Sequence, residues 1–396
     1  MKTVDNIVFF SSGINIRAGG PSGYIANLKS AIQESEIKND IVFITGVDIC
    51  FRLKIIKFFS RVLGCLIVLP KLRRQFRDKF MDCFKTRLFY NILDKYKFKT
   101  ITTHIVDDTI FIRKYIESRR IKSILLQMSH SPQPPSQEIY EHLVACGDTN
   151  AEKIYEQQKK LEYDAFSSAD MYIFPSPESV ECYDKPLKYF NQLTKTRQIK
   201  YVRTGCRPLQ TEKTRDEMRE FYNIKTPFVI TYIGRHNKIK GYDVLQNIAK
   251  EILKKRDDVT FLIGGRPGEI PALQHSRWIE LGQINPAEVL VASDLFILPN
   301  RQTYFDLILL EVLSAGIPVI ASNTGGNKTV FSDTGVITLY NNEKDCVKKI
   351  LKTLDSFSDK RSYVKKNIQK AWADNYSPKQ FAKNYIYMIQ EVCNDQ

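Results

Sequence analysis

The sequence predicts an α/β protein of two domains, each built on a parallel, doubly wound sheet. Short apolar segments alternate with amphipathic helical patterns along the chain, and this order is typical of parallel strands joined by helical crossovers. A length of 396 residues exceeds one ordinary hydrophobic core and fits two domains of roughly 200 residues each. A polar, basic stretch at residues 195–226 separates two series of such segments and predicts the linker.

The predicted strands fall on both sides of this linker. Apolar segments typical of strands lie at residues 7–10, 41–45 and 123–128 in the first half and at 228–233, 260–263, 295–298 and 318–321 in the second. Helical spacing is clearest at residues 24–35, 242–255 and 306–315. We therefore expect domains at residues 1–205 and 215–375.

A last helix follows the second series. Ser377 and Pro378 are favourable at the N-cap and at the first position of a helix, so residues 375–377 predict its start and 378–392 its body. Because the alternation of the second domain is already complete at this point, we expect residues 376–396 to cross back and pack on the first domain.

The composition limits the classes of partner. The formal net charge of +15 and the pI near 9.3 indicate acidic partners, such as nucleic acid, anionic lipid or phosphorylated substrates. The sequence has no aromatic RNA-binding motif, zinc finger or basic zipper, so we expect no nucleic-acid partner. The eight cysteines form no C-x-x-C pair and no zinc-type spacing, which is typical of reduced thiols in a cytosolic protein.

Residues 51–79 combine basic and apolar side chains at helical spacing, with Asp78 as the single acid. Such a helix can lie in the interface of an anionic membrane; the alternative is a helix pair packed on the first sheet with a solvated basic face. The longest apolar run, 62–70, is shorter than the ~20 residues that a bilayer needs, and the N-terminus lacks a signal-peptide pattern. We expect a cytoplasmic protein associated with the inner face of the cytoplasmic membrane.

The clearest chemical signal is Gly234-Arg235-x4-Lys240-Gly241, directly after strand 228–233 and before a helix. Ligands of open α/β sheets bind at the carboxyl ends of strands, where a glycine lets the chain turn sharply. Arg235 offers a planar fork and Lys240 a point charge, so together they can neutralise a diphosphate and stabilise it as a leaving group. The alternative is a pair of solvated basic residues on a loop.

A second signal follows strand 295–298 and opens a helix. Its residues include Thr303, Phe305, Asp306, Leu307, Glu311 and Gly316. Free N–H groups at a helix start bind phosphate readily, and Glu311 would lie about one turn into the helix, where its carboxylate can accept both hydroxyls of a ribose. The alternative is an ordinary exposed glutamate, but the apolar neighbours of Glu311 indicate a largely buried helix, where an unpaired glutamate is rare.

These motifs resemble the nucleotide-sugar domain of the family-4 retaining glycosyltransferases, which have the GT-B architecture. The resemblance covers residues 228–328 and keeps the family's order through Gly234-Arg235, Lys240-Gly241, Gly264-Gly265, Ala292-Ser293-Asp294-x4-Pro299 and the stretch from Leu310 to Val319. It implies two facing Rossmann-like domains, with the C-terminal helix crossing back to the first. It also implies transfer of a sugar from a nucleotide-sugar donor with retention of anomeric configuration.

The resemblance assigns roles to individual residues. In the family the arginine and lysine bind the donor diphosphate, here Arg235 and Lys240, and the second glutamate of an E-x7-E pattern binds the ribose, here Glu311. The Gly-Gly pair ending at Gly265 and the Gly-x-Ile stretch ending at Ile284 border the base. Arg235, Lys240 and the helix start at 305–307 would stabilise the leaving diphosphate without a metal ion, since the chain contains no D-x-D.

A further part of the resemblance lies in the first half. Gly19, Gly20 and Gly23 follow the first strand and resemble the family's glycine-rich loop, which approaches the donor phosphates and the reacting sugar; an ordinary turn is the alternative. His130, after strand 123–128, resembles the active-site histidine that touches the sugar hydroxyls. A structural histidine is the alternative there, and His104 is the rival for the active-site role.

Two positions depart from the family's pattern. Thr303 stands where the family's first glutamate contacts the sugar ring, and Asp306 stands where the family has a glycine ahead of the phosphate-binding helix. The first change leaves the identity of the donor sugar open. Because a carboxylate aimed at a diphosphate would repel it, we expect Asp306 to cap the helix or to point away.

The resulting expectation is a metal-independent hexosyl- or N-acetylhexosaminyltransferase that uses a nucleotide sugar, UDP-sugar by default. The basic, apolar segment 51–79 favours a lipid-linked saccharide acceptor at an anionic membrane surface, as in bacterial surface-polysaccharide or lipopolysaccharide biosynthesis. A protein or small-molecule acceptor is an alternative. A non-catalytic scaffold of the same fold is another, which the replacement at Thr303 would suit.

Overall fold

The computed structural model describes residues 1–15, 20–64, 70–356 and 361–395. The predicted glycine-loop residue Gly19 and the apolar residues 66–69 of the basic segment lie outside the described residues. The fold that follows rests on the described ranges.

The first domain is a parallel six-stranded sheet in the order β2-β1-β3-β4-β5-β6. Its strands are β1 (Lys2–Phe10), β2 (Ile41–Thr45), β3 (Tyr96–Thr103), β4 (Ile124–Met128), β5 (Met171–Phe174) and β6 (Ile199–Tyr201). Its helices are α1 (Gly20–Gln33), α2 (Gly46–Gly64), α3 (Pro70–Leu93), α4 (Val106–Arg119), α5 (Pro135–Ala145), α6 (Ala151–Ser168), α7 (Glu181–Asp184) and α8 (Lys188–Leu193), with a 3-10 turn at Pro177–Val180.

The second domain is also a parallel six-stranded sheet, in the order β12-β11-β10-β7-β8-β9. Its strands are β7 (Phe228–Ile233), β8 (Val259–Gly264), β9 (Trp278–Gly282), β10 (Leu295–Leu298), β11 (Val319–Ser322) and β12 (Ile337–Tyr340). The helices of the second half are α9 (Arg215–Phe221), α10 (Tyr242–Lys255), α11 (Pro286–Val291), α12 (Leu307–Ala315), α13 (Gly325–Thr334), α14 (Glu343–Asp355), α15 (Arg361–Tyr376) and α16 (Pro378–Asn394).

The predicted fold class is confirmed, and most of the strands that the sequence missed are outer strands or carry polar residues. Missed strands are β3, β5, β6, β9 and β12. Strand β3 alternates lysine and threonine with apolar residues, and β6, β9 and β12 are outer strands of their sheets. An outer strand is covered on fewer sides than a central one, so its sequence keeps polar residues and lacks a long apolar run.

The predicted linker at 195–226 is wrong at both ends. Strand β6 lies inside it and pairs with β5 in the first sheet. Helix α9 also lies inside it, and Met218 of that helix packs with Val229 and Leu262 in a core cluster of the second domain. The connection is therefore limited to residues 202–214. The predicted first domain ends within this connection, at 205, and the predicted second domain begins at the first residue of α9.

The C-terminal helix α16 crosses back to the first sheet, as predicted. Its residues Phe381, Tyr385 and Ile389 belong to the same core cluster as Val8 and Met128. By contrast, α15 packs on α12 of the second domain. Ser377 occupies the N-cap position of α16 with an extended backbone, but its side chain makes no capping hydrogen bond. Pro378 at the first helical position therefore favours the start of the helix there, without the expected serine cap.

A buried polar network joins α16 to the first sheet. The Asn6 amide donates to the Tyr385 hydroxyl at 3.0 Å, and this hydroxyl donates to Thr102 Oγ1 at 3.1 Å. Asn6 Oδ1 in turn accepts hydrogen bonds from Thr100 Oγ1 and Thr102 Oγ1. Each of these polar groups is buried, so removing one member leaves another without a partner.

We expect Tyr385→Phe to reduce the free energy of unfolding by about 1–3 kcal/mol, because the Asn6 amide would lose its acceptor in a buried site. Tyr387→Phe is the matched control, since Tyr387 is on the same helix and is 50% exposed. Thermal unfolding measures both. Equal melting temperatures for the two variants would contradict the importance of the network.

Candidate functional site

The carboxyl ends of the two sheets face each other across a cleft. The loops after β7 and β10 come from the second domain, and those after β3 and β4 come from the first. Contacts bridge the cleft: Arg235 Nη1 lies 2.8 Å from Glu138 Oε1, and the Gln302 amide donates to the Cys182 carbonyl at 3.3 Å. Since ligands of open α/β sheets bind outside these strand ends, the cleft is the candidate site.

Glycines let the loops of the second domain lie against one another. Gly241 has φ +66°, and a Cβ there would come within 1.8 Å of the Pro299 carbonyl oxygen. Gly265 has φ +132°, and a Cβ there would meet the Gly234 carbonyl oxygen at 1.9 Å. Both positions require glycine for backbone angle and for space. The loop carrying Arg235 and Lys240 is thereby fixed between the loops that follow β8 and β10.

Arg235 is held by a carboxylate of the opposite domain. Glu138, on α5, accepts from Arg235 and also from Ser131 Oγ at 2.5 Å. Burial raises the pKa of Glu138, but Ser131, Arg235 and Lys240 outweigh it, so the pKa lies below its usual value and the carboxylate is charged. The Arg235 side chain remains 47% exposed. An anionic ligand can therefore reach Arg235 from the cleft and compete with Glu138 for it.

Lys240 is held by Asp306. Lys240 Nζ lies 2.5 Å from Asp306 Oδ1, and each side chain is only 15% exposed. The Asn300 amide donates to the other oxygen of the Asp306 carboxylate. Asp306 occupies the N-cap position of α12, but its side chain makes no capping hydrogen bond. The expectation that Asp306 caps the helix is therefore wrong, because its carboxylate is instead engaged by the Lys240 ammonium and the Asn300 amide. The other expectation, that it points away from a bound diphosphate, stays a prediction.

The helix start beside this pair is open to an anion. Helix α12 begins at Leu307, and the side chain of its N-cap residue, Asp306, does not cap the first N–H groups. Leu309 N donates to the Asp306 carbonyl at 3.1 Å, and the N–H groups of a first helical turn carry partial positive charge. Phe305, just before the helix, is half-buried and packs with its ring centroid 6.0 Å from that of Tyr376. Phe305, Asp306 and Leu307 thus lie together at the N-terminus of α12, as the sequence predicts.

Glu311 has the environment expected of a ligand-binding carboxylate. It is half-buried on α12, and its carboxylate makes no hydrogen bond or ion pair within the described residues. Burial raises the pKa of Glu311 to about 7. A buried carboxyl group without partners is costly, and hydroxyl donors from a ligand would offset that cost.

Thr303, where the resemblance has a glutamate, lies in the protein interior. It is fully buried, and its hydroxyl has no hydrogen-bond partner among the described residues. A Cβ on Gly325 would come within 1.9 Å of the Thr303 carbonyl oxygen, so the start of α13 packs directly on it. The side chain therefore faces the protein interior in this state.

The residues predicted to border the base do come together. Gly265 N donates to the Gly282 carbonyl at 2.7 Å, and a Cβ on Gly264 would come within 2.7 Å of the Ile284 side chain. Gly234 N also donates to the Gly264 carbonyl at 3.0 Å. Ile284 is thus adjacent to the same strand ends that position Arg235.

The first domain contributes two histidines rather than one. His130 Nε2 lies 2.9 Å from His104 Nδ1, with Tyr24 of α1 beside both rings. Burial lowers the pKa of His104 to about 3, and burial followed by the neighbouring His104 lowers the pKa of His130 well below its usual value. Tyr304 of the second domain makes an edge contact with the His130 ring at 6.3 Å. Both imidazoles are therefore neutral at pH 7.

The predicted glycine loop is partly helical. Helix α1 begins at Gly20, which has φ +64°, and Gly23 is buried in the first turn of that helix. Ser22 Oγ ties the turn to the preceding loop by accepting from Asn15 N at 2.8 Å. Gly20 and Gly23 thus place the start of α1, with Tyr24 next to His130, at the first-domain side of the cleft.

Sequence reasoning missed several residues that shape the site: Tyr24, Glu138, Asn300 and Tyr304. Glu138 contacts Arg235 from the other domain, far away along the chain, so no local pattern signals that pairing. Asn300 contacts Asp306 from the same loop, but no motif marks its amide as the partner of that carboxylate. Tyr304 precedes α12 and inserts into an aromatic cluster of the first domain that includes Phe174 and Tyr183. The apolar character of 304–305 was the only available signal.

Comparison with known sequences agrees with this geometry. Residues 227–356 match the sequence family described as Glycosyl transferases group 1. The chain is 23% identical over 201 residues to spore coat protein SA of Bacillus subtilis, a region that covers 46% of this chain and 53% of that protein. It is 32% identical over 133 residues to N-acetyl-alpha-D-glucosaminyl L-malate synthase of Bacillus anthracis, covering 31% of this chain and 35% of that enzyme. The chain thus spans about half or less of the length of these relatives.

Solved structures share the fold over the whole chain. The catalytic domain of starch synthase IV from Arabidopsis thaliana, bound to ADP and acarbose, has a TM-score of 0.65 at 12% identity, covering 99% of this chain and 100% of that one. The Anabaena protein HepE in complex with UDP-glucose has a TM-score of 0.62 at 14% identity, with the same coverage. The chain therefore has the GT-B fold, with a glycosyl transferases group 1 region in its second half.

We expect Asp306→Asn to strengthen the binding of inorganic pyrophosphate roughly tenfold, equivalent to about 1.4 kcal/mol. The reason is that Lys240 no longer has to break its ion pair with the Asp306 carboxylate before it binds the anion. Isothermal titration calorimetry measures the affinity. Asp243→Asn is the control, since Asp243 forms an ion pair of 2.5 Å with Arg301 in the same domain. Unchanged or weaker pyrophosphate binding in Asp306→Asn would show that Asp306 does not compete for Lys240.

Proposed function

We propose that this protein is a retaining glycosyltransferase that binds a nucleotide-sugar donor in the cleft. The observation that carries the proposal is the grouping of Arg235, Lys240 and the uncapped start of α12 with the unpartnered Glu311. Two cations and a helix dipole fit a diphosphate, and a buried carboxylate one turn along the helix fits a ribose. The match of residues 227–356 to Glycosyl transferases group 1 supports the same assignment.

Charge stabilisation on the leaving diphosphate is the main chemical task of the second domain. The Arg235 fork and the Lys240 ammonium exchange their carboxylate partners for phosphate oxygens when the donor binds. As the bond between the sugar and the diphosphate breaks, negative charge grows on the leaving oxygens, and these fixed positive groups stabilise it. Such groups supply what a divalent metal supplies in other enzymes, so we propose transfer without a metal ion.

The first domain holds the sugar and its acceptor. His130 and the start of α1 at Gly20 lie on the opposite side of the cleft from Arg235. We propose that His130 contacts the donor sugar. The donor is a hexose or N-acetylhexosamine carried by UDP as the default nucleotide; HepE was solved with UDP-glucose and starch synthase IV with ADP, so a donor screen has to include several bases.

We expect Arg235→Ala, Lys240→Ala and Glu311→Ala each to lower turnover by a factor on the order of 100 to 1,000, since losing one such contact costs about 2–4 kcal/mol of transition-state stabilisation. The assay is release of nucleoside diphosphate from UDP-, GDP-, dTDP- and ADP-sugars, followed by mass spectrometry. Lys254→Ala is the control, because Lys254 is 74% exposed at the end of α10. Near-normal turnover of a folded Lys240→Ala protein would contradict the assignment. Loss of activity in excess EDTA that added metal restores would contradict metal independence.

The second candidate function is a non-catalytic GT-B scaffold. Two observations favour it: Thr303 is buried where the family has its first glutamate, and Asp306 already neutralises Lys240. A protein of this kind would bind pyrophosphate through Arg235 and Lys240, yet release no sugar from any donor in the screen. Turnover with a single donor would eliminate it.

For the acceptor, we propose a lipid-linked saccharide at the cytoplasmic face of an anionic bacterial membrane. Helix α2 carries a stripe of exposed apolar residues at Val47, Phe51, Ile55 and Phe58, which are 57%, 76%, 45% and 63% exposed. Steps of three and four residues put them on one face of the helix. Arg52, Lys54 and Lys57 are exposed along the same helix. An apolar stripe flanked by basic residues suits the headgroup region of an anionic bilayer.

The partner helix α3 continues the basic surface. Helices α2 and α3 pack against each other as a pair, which is the arrangement that the structural alternative predicted. Leu72 and Arg74 are exposed on α3, while the side chains of Arg61 and Arg73 lie outside the described residues. Among the described residues, no helix is both long and apolar enough to cross a bilayer. A relative encoded in the cps region of Klebsiella pneumoniae, 28% identical over 151 residues, supports a role in surface polysaccharide.

We expect the protein to float with anionic liposomes at moderate salt and not with neutral ones. Changing Lys54, Lys57 and Arg74 to glutamine should abolish flotation, since each basic residue near the surface contributes roughly 1 kcal/mol of attraction. The control changes Lys159, Lys254 and Lys370 to glutamine, which alters the net charge equally and elsewhere. Equal flotation of the two variants, or no flotation of the parent protein, would show that the α2–α3 pair has only a structural role.

A further inference from the structure

The histidine pair at the first-domain side of the cleft shares a single hydrogen bond. His104 follows β3 and His130 follows β4, so neighbouring strands of one sheet place the two rings side by side. The ring centroids are 5.2 Å apart and the planes differ by 24°. With His104 Nδ1 and His130 Nε2 only 2.9 Å apart, one of the two nitrogens must carry the hydrogen and the other must accept it.

Packing encloses both rings, and the hydrogen bond between them favours one orientation. Tyr24 lies against His130 at 4.6 Å and against His104 at 5.7 Å between ring centroids. Tyr304, from the second domain, contacts the other side of the His130 ring. His104 is only 2% exposed. Turning either ring over would put a carbon in place of a nitrogen at the 2.9 Å contact and lose the hydrogen bond between the rings. The question of which nitrogen is protonated is therefore answered for this orientation.

Burial of the remaining nitrogen of His104 decides that question. Its Nε2 is enclosed and has no hydrogen-bond partner among the described residues. A buried N–H without an acceptor is rare in proteins and costly, because the strong donor loses its water and gains nothing. An imidazole nitrogen without hydrogen leaves only a lone pair unused. The proton of neutral His104 therefore belongs on Nδ1, which does have an acceptor in His130 Nε2.

We infer that His104 is a positioning residue that fixes His130 as a hydrogen-bond donor toward the cleft. His104 Nδ1–H donates to His130 Nε2, so the proton of neutral His130 sits on Nδ1. That nitrogen makes no hydrogen bond within the described residues and is not among the enclosed polar atoms. In the proposed glycosyltransferase, His130 Nδ1–H donates to an oxygen of the donor sugar or of the leaving group, and His130 does not act as a general base.

Both histidines are neutral over the working pH range, which this arrangement requires. Burial lowers the pKa of each, and the pKa of His104 falls to about 3. A second proton on His104 would put an N–H into the enclosed position at Nε2. The two hydrogen bonds therefore have a fixed direction: His104 donates to His130, and His130 donates to the ligand.

Nitrogen NMR tests the inference without any substrate. The chain has five histidines, so ¹⁵N-histidine labelling gives few signals, and His104→Asn and His130→Gln assign them by their disappearance. We expect the free protein to show His130 protonated on Nδ1 and bare on Nε2. In His104→Asn the side-chain amide donates from about the place of Nδ1, so the His130 tautomer should persist. In His104→Leu it should change toward the mixture of a free imidazole. A free protein with hydrogen on His130 Nε2 would overturn the inference.

Kinetics separate this inference from the proposed function on which it rests. With an active donor, His104→Leu should lower kcat by at least about tenfold at little change in KM, whereas His104→Asn should recover most of the activity. His142→Leu, on the exposed face of α5, is the control. If no donor is used, the proposed function fails while the NMR result still stands. If activity is normal in a folded His104→Leu protein, the positioning role fails while the function stands.

Discussion

The positive side chains of the cleft are each balanced by a carboxylate, and this charge balance governs the rest of the site. Arg235 and Lys240 come from one loop of the second domain, but Glu138 belongs to the first domain and Asp306 to the next loop of the second. Cations without carboxylate partners in a narrow cleft would repel one another and destabilise the contact between the two domains. In the proposed function, a diphosphate that replaces the carboxylates would keep the balance and take over the contact between the domains.

The two domains are joined by more than this charge pair. Tyr304 inserts into the aromatic cluster of the first domain, and α16 crosses over to pack on the first sheet. Arg203, in the connection after β6, forms a two-point ion pair with Asp333 of α13. These contacts hold the two domains in register without Glu138.

Much of the candidate site could be predicted from local sequence patterns. The GR-x4-KG loop, the helix start at 305–307 and Glu311 were predicted because their geometry depends on a strand end and a helix start that adjoin in sequence. The misplaced linker and the wrong expectation for Asp306 had a different origin. A polar outer strand such as β6 has little local signal, and the partner of Asp306 is 66 residues away along the chain.

The sequence by itself determined the fold class, the crossover of the last helix and the loops that carry the cationic and acidic residues, because hydrophobic periodicity and turn chemistry are properties of short segments. Only the tertiary structure decided that His104 and His130 form one hydrogen-bonded pair, that Thr303 is buried and that Glu138 reaches Arg235. These contacts depend on which strands become neighbours and how the two sheets face each other. Side chains distant in sequence acquire their partners, their protonation and their roles from that arrangement.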